Sequence, residues 1–503
     1  MDGAGVESRL VPNMKEPETW SSPKRAIILM DDFCAYHGGY VEKMAQQVYG
    51  VAVINVLSEY FVNFFAHYHP DETDAPTMAA PKDAAQLAEW MEAIQQRQPQ
   101  LRIEAIVGLS DSGLPDAERF GDLLRLRKHN GFSESRRDKY LMNQAMQEAN
   151  LPIVQQRLCR TLDEALEFTR GLMKQHASKT SATPSVTQTT TSGLLGSGKN
   201  LQDSEDNNDG EKCVVVVKPI RGVASESVYL CDSEESVREA FDAVWGSAVF
   251  GSPGEKHDTV LVQEFARGTE YAIDVVSRDG EHKVAALWRY DKRPANGAAF
   301  VYHATELVGG HTPEAEIVCE YTQQALDALG LKWGLTHNEV ILTRQGPRLV
   351  EVNCRQHNMD FAPIAMACIG YNALDMLLSS YLFNNNGFQA QDDSMALAWD
   401  LLPDRPVTRA FGAMVHLVNH QKGKLVAVNT EGLTEMQEME SVLDMHVYPH
   451  FLEEGAEIAP TVDIRTDSGW VQLINDDQEA FQRDYNRIVE LMPTLFVVEE
   501  ESQ

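Results

Sequence analysis

Apolar and polar residues alternate along this chain in two periods. At 26-AIILMDDF-33 an apolar run ends in acids, as a strand does where it meets a loop. The following 38-GGYVEKMAQQVYG-50 has helical spacing and closes on a glycine, and 51-VAVINVL-57 and 103-IEAIVGLS-110 read as further strands. A strand, loop, helix, strand order predicts a parallel sheet with crossover helices. The 37-HGG-39 stretch is read as a tight turn before its helix rather than an anion site. Beyond it, 133–154 predicts a capped helix and a short strand, and 162–173 an amphipathic helix. The β-branched 213-CVVVVKPIRGVASESVYL-230 predicts a hairpin, 259–280 and 283–293 further strands, and 317–331 a helix. A second hairpin is expected over 333–355, turning at 345-QGP-347. Strands near 411–420, a turn-rich 454–463 and a helix over 477–492 close the chain. The fold class expected is α/β, with a flexible tail over 1–24, a parallel-sheet domain over 25–130, a second domain over 131–385 and an α+β domain over 386–503.

Composition narrows the function classes. The chain has 503 residues, 43% hydrophobic and 23% charged, with a formal net charge of −32. Such an acidic surface disfavours nucleic acid or an anionic membrane as the main partner. The seven cysteines form no C-x-x-C pair, a pattern of reduced thiols in a cytoplasmic protein without a metal finger. No signal peptide or run of membrane-spanning length is seen. Residues 176–212 are rich in Ser, Thr, Gly, Asn and Asp and read as a flexible insertion. They contain 196-GSGK-199, but Asn200 follows and no strand precedes it, so it is not read as a P-loop.

The chemistry concentrates in the middle of the chain. In 348-RLVEVNCRQHN-358, Glu351, Asn353 and Arg355 fall at alternate positions, so a strand would turn all three to one face. Taken singly, each is an ordinary polar strand residue; with Glu339 on the neighbouring strand they outweigh that reading. Two carboxylates and an amide oxygen on adjacent strands suit Mg²⁺, a hard ion that shares its shell with phosphate. Lys139 in 136-RRDKY-140 and Lys218, which ends an apolar strand, supply cations for phosphates. The small-residue loop after Lys218 lets backbone N–H groups approach them. Cys354 is read as a small filler, since no base with a stated role stands beside it. The basic, aromatic 288–303 is read as a substrate-facing loop that brings Arg289 or Lys292 near an anionic group.

These residues, in this order, resemble the ATP-grasp superfamily of ATP-dependent carboxylate–amine ligases, and most of all its L-amino-acid ligases of the dipeptide-forming type. The signal is most specific at 135–140 and 337–355; 104-EAIVGLSDSGLPDAERFGDLLRL-126 and 135-SRRDKYLMNQAM-146 resemble those ligases too. The resemblance implies an ATP-grasp domain over 131–385, preceded by a pre-ATP-grasp domain. It implies that Lys139, Lys218, Gly222 and Ser225 contact ATP phosphates, Glu264 and Phe265 the adenine edge, and Glu270 the ribose. Glu339, Glu351 and Asn353 would hold Mg²⁺, with Mn²⁺ as the alternative. Arg355 and Lys218 would be catalytic, and His337 would line the acceptor pocket. The reaction implied joins a carboxylate, an amino acid first of all, to an amine through an acyl phosphate, releasing ADP. Two departures stand out: Ser227 where a glycine is common, and Cys354 where the fold's carboxylases carry proline. A carboxylase, a ligase of another carboxylate, and a non-catalytic ATP-binding regulator remain the alternatives. The partners expected are small molecules, with no nucleic acid and no membrane; a homodimer is left open.

Overall fold

The computed structural model describes residues 25–32, 38–68, 78–97, 100–180, 214–222, 227–249, 254–383 and 396–499. The expected tail over 1–24 and residues 181–212 of the expected insertion lie outside these. The N-terminal apolar runs become strands β1 (Arg25–Met30), β2 (Ala52–Leu57), β3 (Met78–Ala79) and β4 (Arg102–Gly108), in the order β3-β2-β1-β4 and all parallel. Buried on both faces, β1 is nearly continuous in apolar residues, as an inner parallel strand must be.

The remaining strands pair antiparallel. A four-stranded sheet contains β5 (Gln156–Cys159), β6 (Val215–Lys218), β7 (Tyr229–Cys231) and β8 (Val260–Glu264), in the order β5-β8-β6-β7. The 213–230 hairpin is its β6–β7 pair. The largest sheet has eight strands. In chain order they are β9 (Gly268–Arg278), β10 (Glu281–Ala295), β11 (Ala298–Leu307), β12 (Trp333–Thr343), β13 (Gly346–Asn353), β14 (Phe411–His416), β16 (Val442–Val447) and β18 (Gly469–Asn475). Across the sheet the order is β13-β12-β9-β10-β11-β14-β18-β16. The short β15 (Gly423–Val428), β17 (Glu457–Ile458) and β19 (Phe496–Val498) form a third antiparallel sheet. Strands from both sides of residue 385 therefore share the large sheet, so the C-terminal segment completes it as well as carrying elements of its own.

One expectation is corrected. The stretch 288–303 is a β-hairpin, not a loop: β10 and β11 turn through Asn296 and Gly297, with φ of 52° and 82°. Asn-Gly supplies the two positive-φ positions that a two-residue hairpin turn needs. Pro294 is tolerated because the register shifts between Arg293 and Ala295.

The large sheet buries both faces. Ala272, Val276, Trp288 and Leu335 pack on helices Ala362–Cys368 and Ala373–Leu382 and on Ile27, Leu29 and Val107 of the parallel sheet. Ile273, Val275, Leu287 and Val340 pack on helices Lys139–Glu148 and Pro313–Ala328. Among the described residues no single helix is long and apolar enough to cross a membrane.

Arg136 ties these layers together. Its buried guanidinium donates to Glu118 of helix Leu114–Leu123, to the Gly131 carbonyl at 2.6 Å and to the Leu329 carbonyl at 3.2 Å. Arg136→Ala leaves Glu118 buried without its counter-charge, an expected loss of about 3–5 kcal/mol. Urea unfolding of that variant beside Arg136→Ala/Glu118→Ala checks it. The double variant should lose less than the single one, and equal losses would refute the pairing argument.

Candidate active site

The β12–β13 register explains why charges accumulate at one place. His337 pairs with Asn353, and Glu339 stands directly opposite Glu351. On the other side of β12, His337 pairs with Asp274 and Glu339 with the small Ala272. Strand alternation puts Glu270, Ala272 and Asp274 of β9 on the face that carries His337, Glu339, Glu351 and Asn353. Opposed carboxylates repel. Cations and donors offset this from four directions.

Lys139 opens helix Lys139–Glu148, whose first turn is fixed by the Asp138 carboxylate accepting from the N–H groups of Tyr140 and Leu141. That cap aims the Lys139 ammonium at Glu351, 2.7 Å away, and at the Gly222 carbonyl, 3.2 Å away. Lys218, at the end of β6, is buried. Burial first, then the charge of Lys139, pushes its ammonium down to about 8, against the pull of Glu351, Glu339 and Glu270. Lys292 lies between the rings of Tyr290 and Tyr302, 4.5 Å from each centroid, and meets Glu270 at 2.7 Å. Glu270 holds its ammonium above the ordinary lysine range despite burial. Burial pushes the Glu339 carboxyl up, but the Lys292 charge and the His337 hydrogen bond together hold it well below the carboxylate range.

Asn353 donates to Glu351 Oε1 at 3.1 Å. The strand ends there, and Arg355 leaves it to bind Asp111 of the N-terminal region through Nε at 2.7 Å. Gln356 follows with a bond to the Leu109 carbonyl at 3.2 Å. Cys354 packs beside the apolar cluster under β13, and burial raises its thiol to about 12, as befits a filler.

Lys139, Lys218, Glu270, Lys292, His337, Glu339, Glu351, Asn353 and Arg355 thus gather at one end of the large sheet. Glu264 and Phe265 lie at the exit of β8, three residues from β9, where Gln155 Nε2 donates to Glu264 at 2.8 Å and Phe265 sits 6.2 Å from Phe300. Arg289 is not in the cluster: it alternates to the other face and pairs with Glu306. Gly222 is in place beside Lys139, whereas Ser225 falls outside the described residues. Ser227 has a φ of 57°, the left-handed region that favours glycine, so the backbone there keeps a glycine's shape at a cost in strain.

Sequence reasoning gave no role to Asp274, His357, Tyr290, Tyr302 or Asp111. Asp274 accepts from Trp288 Nε1 at 2.8 Å and from His337 Nδ1 at 3.1 Å. His357 stacks on His337 with ring centroids 4.0 Å apart, and Tyr290 Oη reaches Nε2 of both. Hydrogen bonds to Asp274 and Glu339 raise His337 to about 9 against burial, whereas burial and the His337 charge lower His357 to about 4. A signal existed for Asp274: a carboxylate inside 271-YAIDVV-276, in alternation with Glu270.

Residues 211–362 match the ATP-grasp domain family. Dapdiamide A synthase of Enterobacter agglomerans is 26% identical over 283 residues, which cover 56% of this chain and 57% of the synthase. The chain thus spans just over half the length of that curated relative. L-amino acid ligase from Bacillus licheniformis superimposes with a TM-score of 0.61 at 16% identity, over 96% of this chain and all of that one. Phosphoribosylglycinamide synthetase from Anaerococcus prevotii gives 0.53 at 14% identity, over 95% of this chain and all of that one. The chain has the mixed α/β ATP-grasp fold, with its parallel sheet at the N-terminus.

Lys218 generates a pH prediction. Its folded pKa of about 8 leaves it increasingly neutral above that pH, while a bound polyphosphate favours the ammonium. ATP binding at about pH 9 should therefore take up a proton, and affinity should fall up to tenfold per pH unit above about 8. Titration calorimetry in two buffers of different ionisation enthalpy measures the uptake. Lys218→Arg, charged throughout, should flatten the dependence; unchanged uptake in that variant would assign the proton elsewhere.

Proposed function

We infer that the chain is an ATP-dependent carboxylate–amine ligase, with an amino acid as the first choice of carboxylate. The observation that carries this reading is the directly opposed pair Glu339 and Glu351, flanked by three lysines. Such a face is built for a polyphosphate and a divalent ion together. The ammonium of Lys139, 2.7 Å from Glu351, already stands as a cation against this carboxylate pair, so the residues present fit a hard cation. Glu339, Glu351 and Asn353 would hold Mg²⁺, which when bound neutralises phosphate charge and polarises the transferred group.

In the proposed reaction a carboxylate oxygen attacks the γ-phosphorus of ATP, the bond to ADP breaks, and an acyl phosphate forms. The amine nitrogen then attacks the carbonyl carbon, phosphate leaves, and the nitrogen gives up its proton. Lys139 and Lys218 would take the charge of the phosphates. Arg355, held rigidly by Asp111, would face the charge that develops on the acyl phosphate. Glu270 would exchange Lys292 for the ribose hydroxyls, freeing that ammonium for the phosphate chain. Glu264 and Phe265, near the junction of the two sheets, would flank the adenine. Each contribution is positioning and electrostatics, and no side-chain nucleophile is required.

ADP release with Mg²⁺ and ATP, assayed with pooled amino acids and then with pairs, tests the reading. Release should require both a carboxylate and an amine, and Glu351→Gln should lower it about 10²–10³-fold. An ¹⁸O-labelled carboxylate should pass one label to phosphate if the acyl phosphate forms. Release that needs bicarbonate and no amine would make the chain a carboxylase. Tight ATP binding with no release from any pool would make it a regulator.

A further inference from the structure

Asp274, His337 and His357 form a nitrogen-containing group beside the oxygen-rich set around Glu339 and Glu351, touching it where His337 Nε2 stands 3.5 Å from Glu339 Oε1. One ligand atom from each lies within 4.8 Å of the others, and the group is almost wholly buried. His337 Nδ1 is 3.1 Å from Asp274 Oδ1, and His357 Nδ1 is 3.6 Å from Asp274 Oδ2. A tetrahedral ion with bonds of about 2.0–2.1 Å separates its ligand atoms by about 3.3 Å, so each nitrogen lies near such a distance from one oxygen of Asp274, though not from the same oxygen.

Hydrogen-bond accounting leaves one ring nitrogen of the group open to an ion. His357 Nδ1 makes no hydrogen bond, and 3.6 Å to Asp274 is too long for one. On the far side both Nε2 atoms meet one hydroxyl, Tyr290 Oη, at 3.3 and 3.1 Å. That hydroxyl can accept from Nε2–H of a protonated His337 and donate to Nε2 of His357, so the far side closes by itself and the atom left over is His357 Nδ1. With a cation on the Nδ1 side, both rings carry their protons on Nε2, and the two lone pairs of Tyr290 Oη accept both. The orphaned His357 Nδ1 becomes a ligand, and Trp288 Nε1 remains the outer donor that orients the Asp274 carboxylate.

We propose that Asp274, His337 and His357 form a binding site for a borderline divalent ion of the Zn²⁺ class, beside the oxygen-donor set at Glu339, Glu351 and Asn353. Two imidazoles and one carboxylate select such ions over Mg²⁺ and leave a fourth position for water or a substrate group. Binding would draw the two stacked rings together on their Nδ1 side and pin the segment after Arg355 to the large sheet. The inference does not depend on the ligase reading, because its readout is metal binding alone.

Co²⁺ added to the chelator-treated full chain serves as the visible probe. One equivalent should give intense d–d bands that survive a large excess of Mg²⁺ and vanish on addition of Zn²⁺. His357→Ala and Asp274→Asn should each abolish the bands at unchanged near-UV circular dichroism. Should either variant misfold, crystals of the unaltered protein soaked in Co²⁺ decide the matter through anomalous scattering, with a peak expected among the three side chains. Bands that Mg²⁺ removes, bands that persist in the folded variants, or a peak lying between Glu339 and Glu351 instead would overturn the proposal.

Discussion

Two carboxylates stand face to face across a β-ladder, and much of this molecule can be read as the arrangement that makes this tolerable. Glu339 and Glu351 are register partners on β12 and β13, so neither can turn away without leaving the sheet. Water screens them only in part, because both side chains are half-buried. The compensation comes from outside their own hairpin. Lys139 arrives on a capped helix, Lys218 at the end of a strand in another sheet, and Lys292 from β10, clamped between two tyrosines. An ion pair of this kind is weak evidence for stability, since desolvation cancels much of the attraction. It is better understood as a site held ready for a ligand that carries the opposite charges in greater number.

The same constraint explains how the N-terminal region is attached. Arg355 is buried next to the site and would carry an uncompensated charge but for Asp111, which follows β4 of the parallel sheet. Burial works against the Asp111 carboxylate, yet the Arg355 charge holds its pKa below the usual range. Arg136 makes a second clamp, joining Glu118 of the N-terminal region to the carbonyl of Leu329. The tetrad from Arg136 to Lys139 thus divides its work between neighbours in sequence: a clamp, a half-buried cation near Asp111, a helix cap and a site lysine.

Much of this was legible in the sequence because it depends on short spacings. Alternation in 348–353 marked the strand, and the turn at 345-QGP-347 marked the hairpin that brings Glu339 and Glu351 together. The β-branched run before Lys218 marked a lysine at the end of an apolar strand. The Asn-Gly pair at 296–297 was equally plain as a turn signal, yet the basic and aromatic character of 288–303 suggested a loop. The structure resolves the conflict: Tyr290, Lys292 and Tyr302 are strand residues that hold one another, and Arg289 alternates to the opposite face. Asp274 and His357 escaped notice because they lie far apart along the chain from each other. They meet through the pairing of β9 with β12 and the return of the chain after Arg355.

What the sequence determined alone, then, is local: which runs become strands, where helices are capped, and which polar residues share a strand face. Those properties follow from steric preferences and from the two- and 3.6-residue periods of the backbone. Tertiary structure alone decided which faces meet. It set Asp111 against Arg355, Lys292 against Glu270, and two imidazoles against one buried carboxylate, across separations that no period spans. The physical reason is that charge pairing inside a protein acts over a few ångströms in space and is indifferent to distance along the chain.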